Sequence, residues 1–219
     1  WSCHLRLSSS TCDLITSIRS SPPTRRVKSR GHNVSGTYPS RKMNLTIQFE
    51  SHTVELWAIY LMEHDPNVLE FWDQPMSFKI QYQSKSGGRK IGHFHTPDFF
   101  VLRKDSVGFE EWKPEAELQR LAGKQPFRYQ RTENGTWRCP PGEAYAESLG
   151  LSYRVRSSAE LHPTFIQNLI FLEDYLGFPR IVPASTERRV LDHVRQHPGE
   201  TLATLLAEEA DICADDVYA

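Results

Sequence analysis

Two acids and a lysine set into an otherwise apolar hairpin constrain this chain more than any other feature. Residues 94–103 (Phe-His-Thr-Pro-Asp-Phe-Phe-Val-Leu-Arg) read as one strand rich in aromatic and branched side chains. Val107-Gly108-Phe109-Glu110-Glu111-Trp112-Lys113 reads as its partner. A two-residue loop at Lys104-Asp105 pairs Arg103 with Ser106, and counting down the ladder sets Asp98 opposite Glu111. Side chains alternate along a strand, so Glu111 and Lys113 share a face, and directly opposed residues share it too. Asp98, Glu111 and Lys113 are therefore expected to converge. Two carboxylates that close destabilise a bare sheet. A divalent cation between them removes the repulsion, and it can polarise a phosphate oxygen and lower the pKa of a water. Lys113 is then placed to orient the attacking water or to screen charge on phosphorus. The competing reading is a solvent-facing strand pair with ordinary surface charges. It is weakened by Phe99, Phe100, Val101, Leu102, Val107, Phe109 and Trp112, because buried charge needs a partner. A slip of one residue would part the acids, so the expectation depends on the turn.

A third acid lies upstream. Residues 50–62 read as a helix opened by a Ser51 cap and stopped before Asp65-Pro66. Val54, Trp57, Ala58 and Leu61 form its apolar stripe. Glu55 sits in the first turn beside that stripe. From spacing alone it is more simply a surface carboxylate favoured by the helix dipole.

These residues, taken in order, resemble a known family. Gly36-Thr37-Tyr38-Pro39-Ser40-Arg41-Lys42-Met43, Phe49-Glu50-Ser51 with Glu55, Asp65-Pro66-Asn67-Val68 followed by Gln74-Pro75, Thr96-Pro97-Asp98-Phe99, and Glu111-Trp112-Lys113-Pro114 are similar to the amino-terminal domain of the TnsA endonucleases. The resemblance covers about residues 34 to 180. It implies an α/β restriction-endonuclease-like PD-(D/E)xK core with a mixed central sheet. It further implies that Asp98, Glu111 and Glu55 hold or support a metal and that Lys113 is the catalytic lysine. Glu50 competes with Glu55 for the helix position, and Glu55 is favoured. Some relatives carry Gln where this chain has Glu111, and an acid is the stronger ligand. Gln74 reads either as a hydrogen-bond donor behind the ligands or as a plain loop residue.

The expected activity is a Mg²⁺-dependent endonuclease, Mn²⁺ substituting, that hydrolyses phosphodiesters at the 5′ ends of a transposon during cut-and-paste transposition. The resemblance implies double-stranded transposon ends as substrate. The implied partners are a DDE-type, TnsB-like transposase, free or fused to this chain, and an AAA+, TnsC-like regulator. The alternatives are another PD-(D/E)xK restriction or repair nuclease, or a catalytically idle module bridging transposase and DNA.

Composition agrees with a soluble intracellular enzyme, 219 residues, 38% hydrophobic and 24% charged, without an apolar run of membrane-spanning length, and the resemblance implies a bacterial cytoplasm. Cys3, Cys12, Cys139 and Cys213 are too scattered for a disulfide framework or a zinc knuckle. His93 and His95 share a strand face without a third ligand at useful spacing, and read as polar residues near the cleft. Charge is uneven. Before Asn44 the bases Arg6, Arg19, Arg25, Arg26, Lys28, Arg30, Arg41 and Lys42 face one acid, Asp13. Residues 1–33 thus read as a basic, flexible arm that grips phosphate, with a functionless leader as the alternative. Arg25, Arg26, Lys28, Arg30, Arg41, Lys42, Arg120 and Lys124 are the candidate DNA contacts. Residues 34–180 are the expected nuclease domain. Within it residues 164–176 read as a helix with Phe165, Leu169, Leu172 and Leu176 on one face. Residues 181–219 read as the start of a helical, winged-helix-like domain, truncated because the chain ends inside a helix.

Overall fold

A computed structural model describes Leu5 and residues 7–25, 35–178 and 180–219. Arg26, Lys28 and Arg30 lie outside the described residues. The chain divides into two compact units, Trp1–Ile166 and Gln167–Ala219, earlier than the 180/181 boundary expected from sequence.

The first unit opens with helix α1 (Ser9–Ser20), where the sequence predicts a flexible arm. Ser8 caps it, its hydroxyl accepting the Thr11 N–H at 3.1 Å. Ile15 and Ile18 are buried in the main core, and the Thr11 hydroxyl donates to the Leu149 carbonyl at 2.6 Å. The arm reading missed this helical spacing because the polar and basic residues around it dominate the composition.

Strands β1 (Gly36–Ser40) and β2 (Leu45–Phe49) form an antiparallel ribbon. Helix α2 (Glu55–His64) follows. It starts later than expected, and Ser51 does not cap it: the Ser51 carbonyl takes the Leu56 N–H in a turn, and Val54 occupies the cap position without a side-chain bond. Strand β3 (Val68–Asp73) leads to a second ribbon, β4 (Phe78–Gln83) and β5 (Lys90–His95). The expected single strand over 94–103 is broken by Thr96-Pro97-Asp98, because Pro97 has no N–H for a ladder. Among the described residues β5 therefore pairs with β4 alone, while β6 (Phe99–Arg103) and β7 (Val107–Lys113) form the expected hairpin. Helix α3 (Glu115–Lys124), the short strands β8 (Gln130–Arg131) and β9 (Trp137–Arg138), and helix α4 (Pro140–Ser148) lead to β10 (Ser152–Ser157), which runs parallel to β7.

The six-stranded sheet is mixed, in the order β3-β6-β7-β10-β9-β8. Both faces are covered, which is why β6 is apolar at consecutive positions instead of alternating. Phe100, Leu102, Phe109 and Val155 face one core layer with Ile15, Ile18, Phe78 and Ala146. Phe71, Phe99, Val101 and Trp112 face the other, with Ile47, Phe49, Ala58, Ile59 and Met62. Gly108 lets β7 and β10 approach: a Cβ there would lie 2.0 Å from the Ser152 carbonyl oxygen.

Helix α5 (Pro163–Phe171) ends at Phe171 and α6 (Glu173–Gly177) starts after Leu172, so the single helix expected over 164–176 is interrupted. Its expected apolar face is not a buried one, since Phe165 and Leu176 are exposed. In the second unit α7 (Ala184–Gln196), α8 (Leu202–Glu208) and α9 (Ala214–Tyr218) enclose a small core of Val190, Leu205 and Ile212. Arg189 pairs with Glu209 and Asp211, and His193 Nε2 lies 2.9 Å from Glu200.

Helix α1 is expected to be an integral part of the core. Ile15→Ala and Ile18→Ala should each lower unfolding free energy by about 2–4 kcal/mol in urea titrations; an unchanged midpoint would mean that the helix detaches.

Candidate active site

The backbone brings the acids together through the loop at Lys104-Asp105. The Arg103 N–H donates to the Ser106 carbonyl at 2.8 Å, and Phe99 faces Glu110, so continuing the register sets Asp98 against Glu111. Asp98 precedes β6 and is held at two points. Its carbonyl accepts the Gln74 N–H at 2.9 Å, and its Oδ2 accepts the Trp112 N–H at 2.7 Å. Gln74 is buried with φ of 43°, turning the chain out of β3. Its side-chain oxygen accepts from Arg25 Nε at 3.1 Å.

Asp98, Glu111 and Lys113 line one pocket of about 630 Å³ with Glu50, Glu55, Arg25, His95, Arg128 and Tyr129. Glu55 enters from the first turn of α2. It is buried, and its Oε2 accepts the Glu50 N–H at 2.8 Å. Glu50 reaches the same pocket but is more open and pairs with Arg25 at 3.5 Å. Both candidates for the helix acid thus lie at the site, with Glu55 the more enclosed.

Glu111 is the most tightly held of these groups. Lys113 Nζ lies 3.0 Å from Oε1, the Tyr129 hydroxyl donates to Oε1 at 2.8 Å, and the Tyr153 hydroxyl donates to Oε2 at 2.8 Å. His95 Nε2 lies 3.7 Å from Oε2 and Arg128 lies 4.0 Å from Oε1. Burial alone would push this carboxyl up, but Lys113, His95, Arg128 and the Tyr129 hydroxyl together hold it down to about 2. Lys113 is raised above its ordinary value because Glu111 and Asp98 outweigh its burial. Asp98 and Glu55 move the other way. Burial, with the charge of Glu111, raises Asp98 to about 6 despite Lys113 and the Trp112 N–H. Burial, then the charge of Asp98, raises Glu55 to about 8.

Arg128 organises the outer side of this cluster. One guanidinium nitrogen is 2.8 Å from His93 Nε2 and another 3.2 Å from His95 Nδ1, while His95 Nε2 is 2.6 Å from the Tyr153 hydroxyl. Burial holds His95 down to about 4. The sequence does not single out Arg128, Tyr129 or Tyr153 as site residues. Tyr153 alternates with exposed Arg154 on β10 and reads, like Val155, as an ordinary inward-facing strand residue, and Arg128-Tyr129 lie in a loop with no periodic cue.

The remaining candidate bases are placed differently. Lys42 is committed to the scaffold. Its Nζ donates to the Met62, Asp65 and Val68 carbonyls at 2.6, 2.6 and 2.9 Å, closing the end of α2. The Arg41 and Lys42 backbone N–H groups and the Ser40 hydroxyl all donate to the buried Glu63, so the Pro39-Ser40-Arg41-Lys42 run is a carboxylate-binding turn. The Arg41 side chain is exposed. Arg120 and Lys124 are exposed on α3, with Arg120 beside Glu117 at 3.6 Å.

A divalent cation can be tested against the donors present. Among the described residues no group of three or more His, Cys, Asp or Glu is arranged to hold an ion, and Lys113 stands against Glu111. Yet Asp98 and Glu55 are enclosed oxygen donors raised chiefly by burial, with the charge of Glu111 adding on Asp98 and that of Asp98 on Glu55, and a hard cation relieves such crowding of negative charge. Asp98, Glu111 and Glu55 are thus of the donor type such an ion takes, with Lys113 Nζ standing at Glu111.

Removing either tyrosine hydroxyl leaves a buried carboxylate short of a donor. Tyr129→Phe and Tyr153→Phe should each destabilise the protein by about 1.5–3 kcal/mol at neutral pH, measured by denaturant titration. An unperturbed midpoint would mean that Glu111 is not held through them.

No curated protein shows a significant match to this chain. Residues 65–158, running from the end of α2 to just past β10 and including Asp98, Glu111, Lys113, Arg128, Tyr129 and Tyr153, match the family described as TnsA-like endonuclease N terminal. That segment is similar to the N-terminal domain of the TnsA-like endonucleases and is built here on a mixed six-stranded sheet.

Proposed function

We propose that this chain is a Mg²⁺-dependent DNA endonuclease that hydrolyses a phosphodiester at the 5′ ends of a transposon during cut-and-paste transposition. The observation that carries the reading is the convergence of Asp98, Glu111 and Lys113, with Glu55 beside them, in a polar pocket of the family-matched fold. Asp98 and Glu111 would hold the ion and Glu55 would ligate or support it; when bound it would polarise the phosphate and lower the pKa of a water. Lys113 would leave Glu111 and place its ammonium against the attacking water or the charge gathering on phosphorus. Tyr129 and Tyr153 would keep Glu111 ionised and fixed in rotamer while Lys113 moves. Arg25 at the pocket, with Arg120, Lys124 and Arg41 on the surface, would hold flanking phosphates; Lys42 is excluded by its carbonyl partners. Mn²⁺ should substitute. The partners proposed are a DDE-type, TnsB-like transposase cutting the other strand and an AAA+, TnsC-like regulator. Among the described residues no helix is long and apolar enough to cross a membrane.

A second reading is favoured by one observation, the close contact of Lys113 with Glu111. A chain in which that contact never opens would serve as an idle module bridging transposase and DNA. Nicking of transposon-end plasmid with Mg²⁺, assayed alone and with both partner subunits, separates the two. Glu111→Ala and Lys113→Ala should each reduce nicking by about 10²-fold or more. Wild-type protein inert in both settings would establish the idle module.

The carboxyl shifts set a pH dependence. Asp98 and Glu55 bind protons more tightly in the folded chain, so without metal their contribution to stability is full near pH 4 and is lost as pH rises through about 6 and then about 8. Glu111 acts oppositely, its contribution being lost only as pH falls toward about 2. In chelator the melting temperature should fall between pH 6 and pH 8, and Mg²⁺ or Ca²⁺ should restore it more at pH 8 than at pH 6. A cation effect independent of pH would contradict the assignment.

A further inference from the structure

The ribbon of β4 and β5 has two faces of opposite character. Phe78, Ile80 and Tyr82 pair with His95, His93 and Ile91; Phe78 and Ile80 are buried in the core, and the two histidines are fixed by Arg128. The other face carries Lys79 opposite Phe94, Gln81 opposite Gly92 and Gln83 opposite Lys90, all exposed. The tip turns at Gly87 and Gly88, with φ of 75° and 80°, and bears Lys85 and Arg89.

Between Asp73 and Asp98 there is no acidic residue, although the whole chain has a net charge of -1. Lys79, Arg89 and Lys90 have no ion-pair partner among the described residues. Lys85 Nζ donates to the Gly123 carbonyl at 2.7 Å, so the tip adjoins the end of α3, where Lys124 is exposed. Phe94 is 74% exposed, the largest exposure of any large apolar side chain described in the first compact unit, and it lines the acidic pocket together with His95 and Thr96.

We propose that the outward face of this ribbon, Lys79, Lys90, Arg89 and Phe94, is a duplex-DNA contact surface that continues from the acidic pocket. The proposal rests on the nuclease reading for its ligand, and charge complementarity selects a polyanion. A six-residue strand is about 20 Å long, more than the roughly 12 Å width of a major groove, so the ribbon reaches phosphates beyond one groove edge. Lys79 and Lys90 meet phosphates along the ribbon and Arg89 meets them at its tip. Phe94, at the pocket end, packs against a base step beside the scissile phosphate, as exposed apolar wedges do. Gly92 keeps the face low between them; a Cβ there would lie 3.0 Å from Lys79 Cε.

The test is binding of the full chain to a fluorescent 30-base-pair transposon-end duplex in Ca²⁺, across a salt series, with nicking assayed separately in Mg²⁺. The triple variant Lys79→Ala, Arg89→Ala, Lys90→Ala should weaken binding by at least about tenfold at 0.1 M salt and reduce the slope of log K against log salt by about 2 to 3. Phe94→Ala should weaken binding several-fold with the slope unchanged, because it removes no charge. Unaltered melting temperatures would show that both variants are folded. Wild-type affinity and slope in the triple variant, or no duplex binding by the wild-type chain, would overturn the proposal. Ribbon-dependent binding without nicking, even with partner subunits, would retain the surface and reject the nuclease reading.

Discussion

The Glu111 carboxylate is the charge around which the first compact unit is organised. It sits on the central strand of a sheet covered on both faces, where an unpartnered ion is prohibitive, and four separate elements supply its partners: Lys113 from its own strand, Tyr129 from a loop, Tyr153 from the neighbouring parallel strand and His95 from the β4–β5 ribbon. Each partner fixes the element that carries it. The close approach of β7 and β10 at Gly108 belongs to the same arrangement, since it brings the Tyr153 strand alongside the Glu111 strand.

The other two acids are held without comparable compensation. Asp98 has a backbone N–H and a nearby ammonium, Glu55 has one backbone N–H, and both are pushed toward their protonated forms while Glu111 is pushed away from its own. Carboxyls driven apart in this way mark a site where charge is to be rearranged. In the proposed mechanism Lys113 would be the mobile member: its ammonium pairs with Glu111 and would become available once another cation took its place. The Trp112 N–H on Asp98 and the two tyrosines on Glu111 fix the donors so that only the ammonium need move.

Much of this was legible in the sequence, and the reasons are local. The two-residue loop at Lys104-Asp105 sets the register, and with period-two alternation it brings Asp98, Glu111 and Lys113 to one face without further information. The helical character of residues 181–219 was likewise expected, and α7, α8 and α9 bear it out. What was not legible depends on tertiary context. Thr11, Ile15 and Ile18 have helical spacing, but the surrounding Ser, Pro and Arg residues give the segment the composition of an arm. Lys42 looks like a phosphate contact until the end of α2 and the start of β3 present three carbonyls to it. Tyr129 and Tyr153 carry no motif and acquire a role only when a loop and a parallel strand place their hydroxyls on one carboxylate.

The claim at the centre is that Asp98 and Glu111 share one divalent cation in place of the Lys113 ammonium. Titration of Mn²⁺ followed by its free-ion paramagnetic resonance signal tests this on the wild-type chain, Asp98→Asn and Lys113→Ala. The account predicts one saturable site in the wild type, its loss in Asp98→Asn, and its persistence with equal or tighter affinity in Lys113→Ala. Equal Mn²⁺ binding by wild type and Asp98→Asn, or no site in either the wild type or Lys113→Ala, would contradict it.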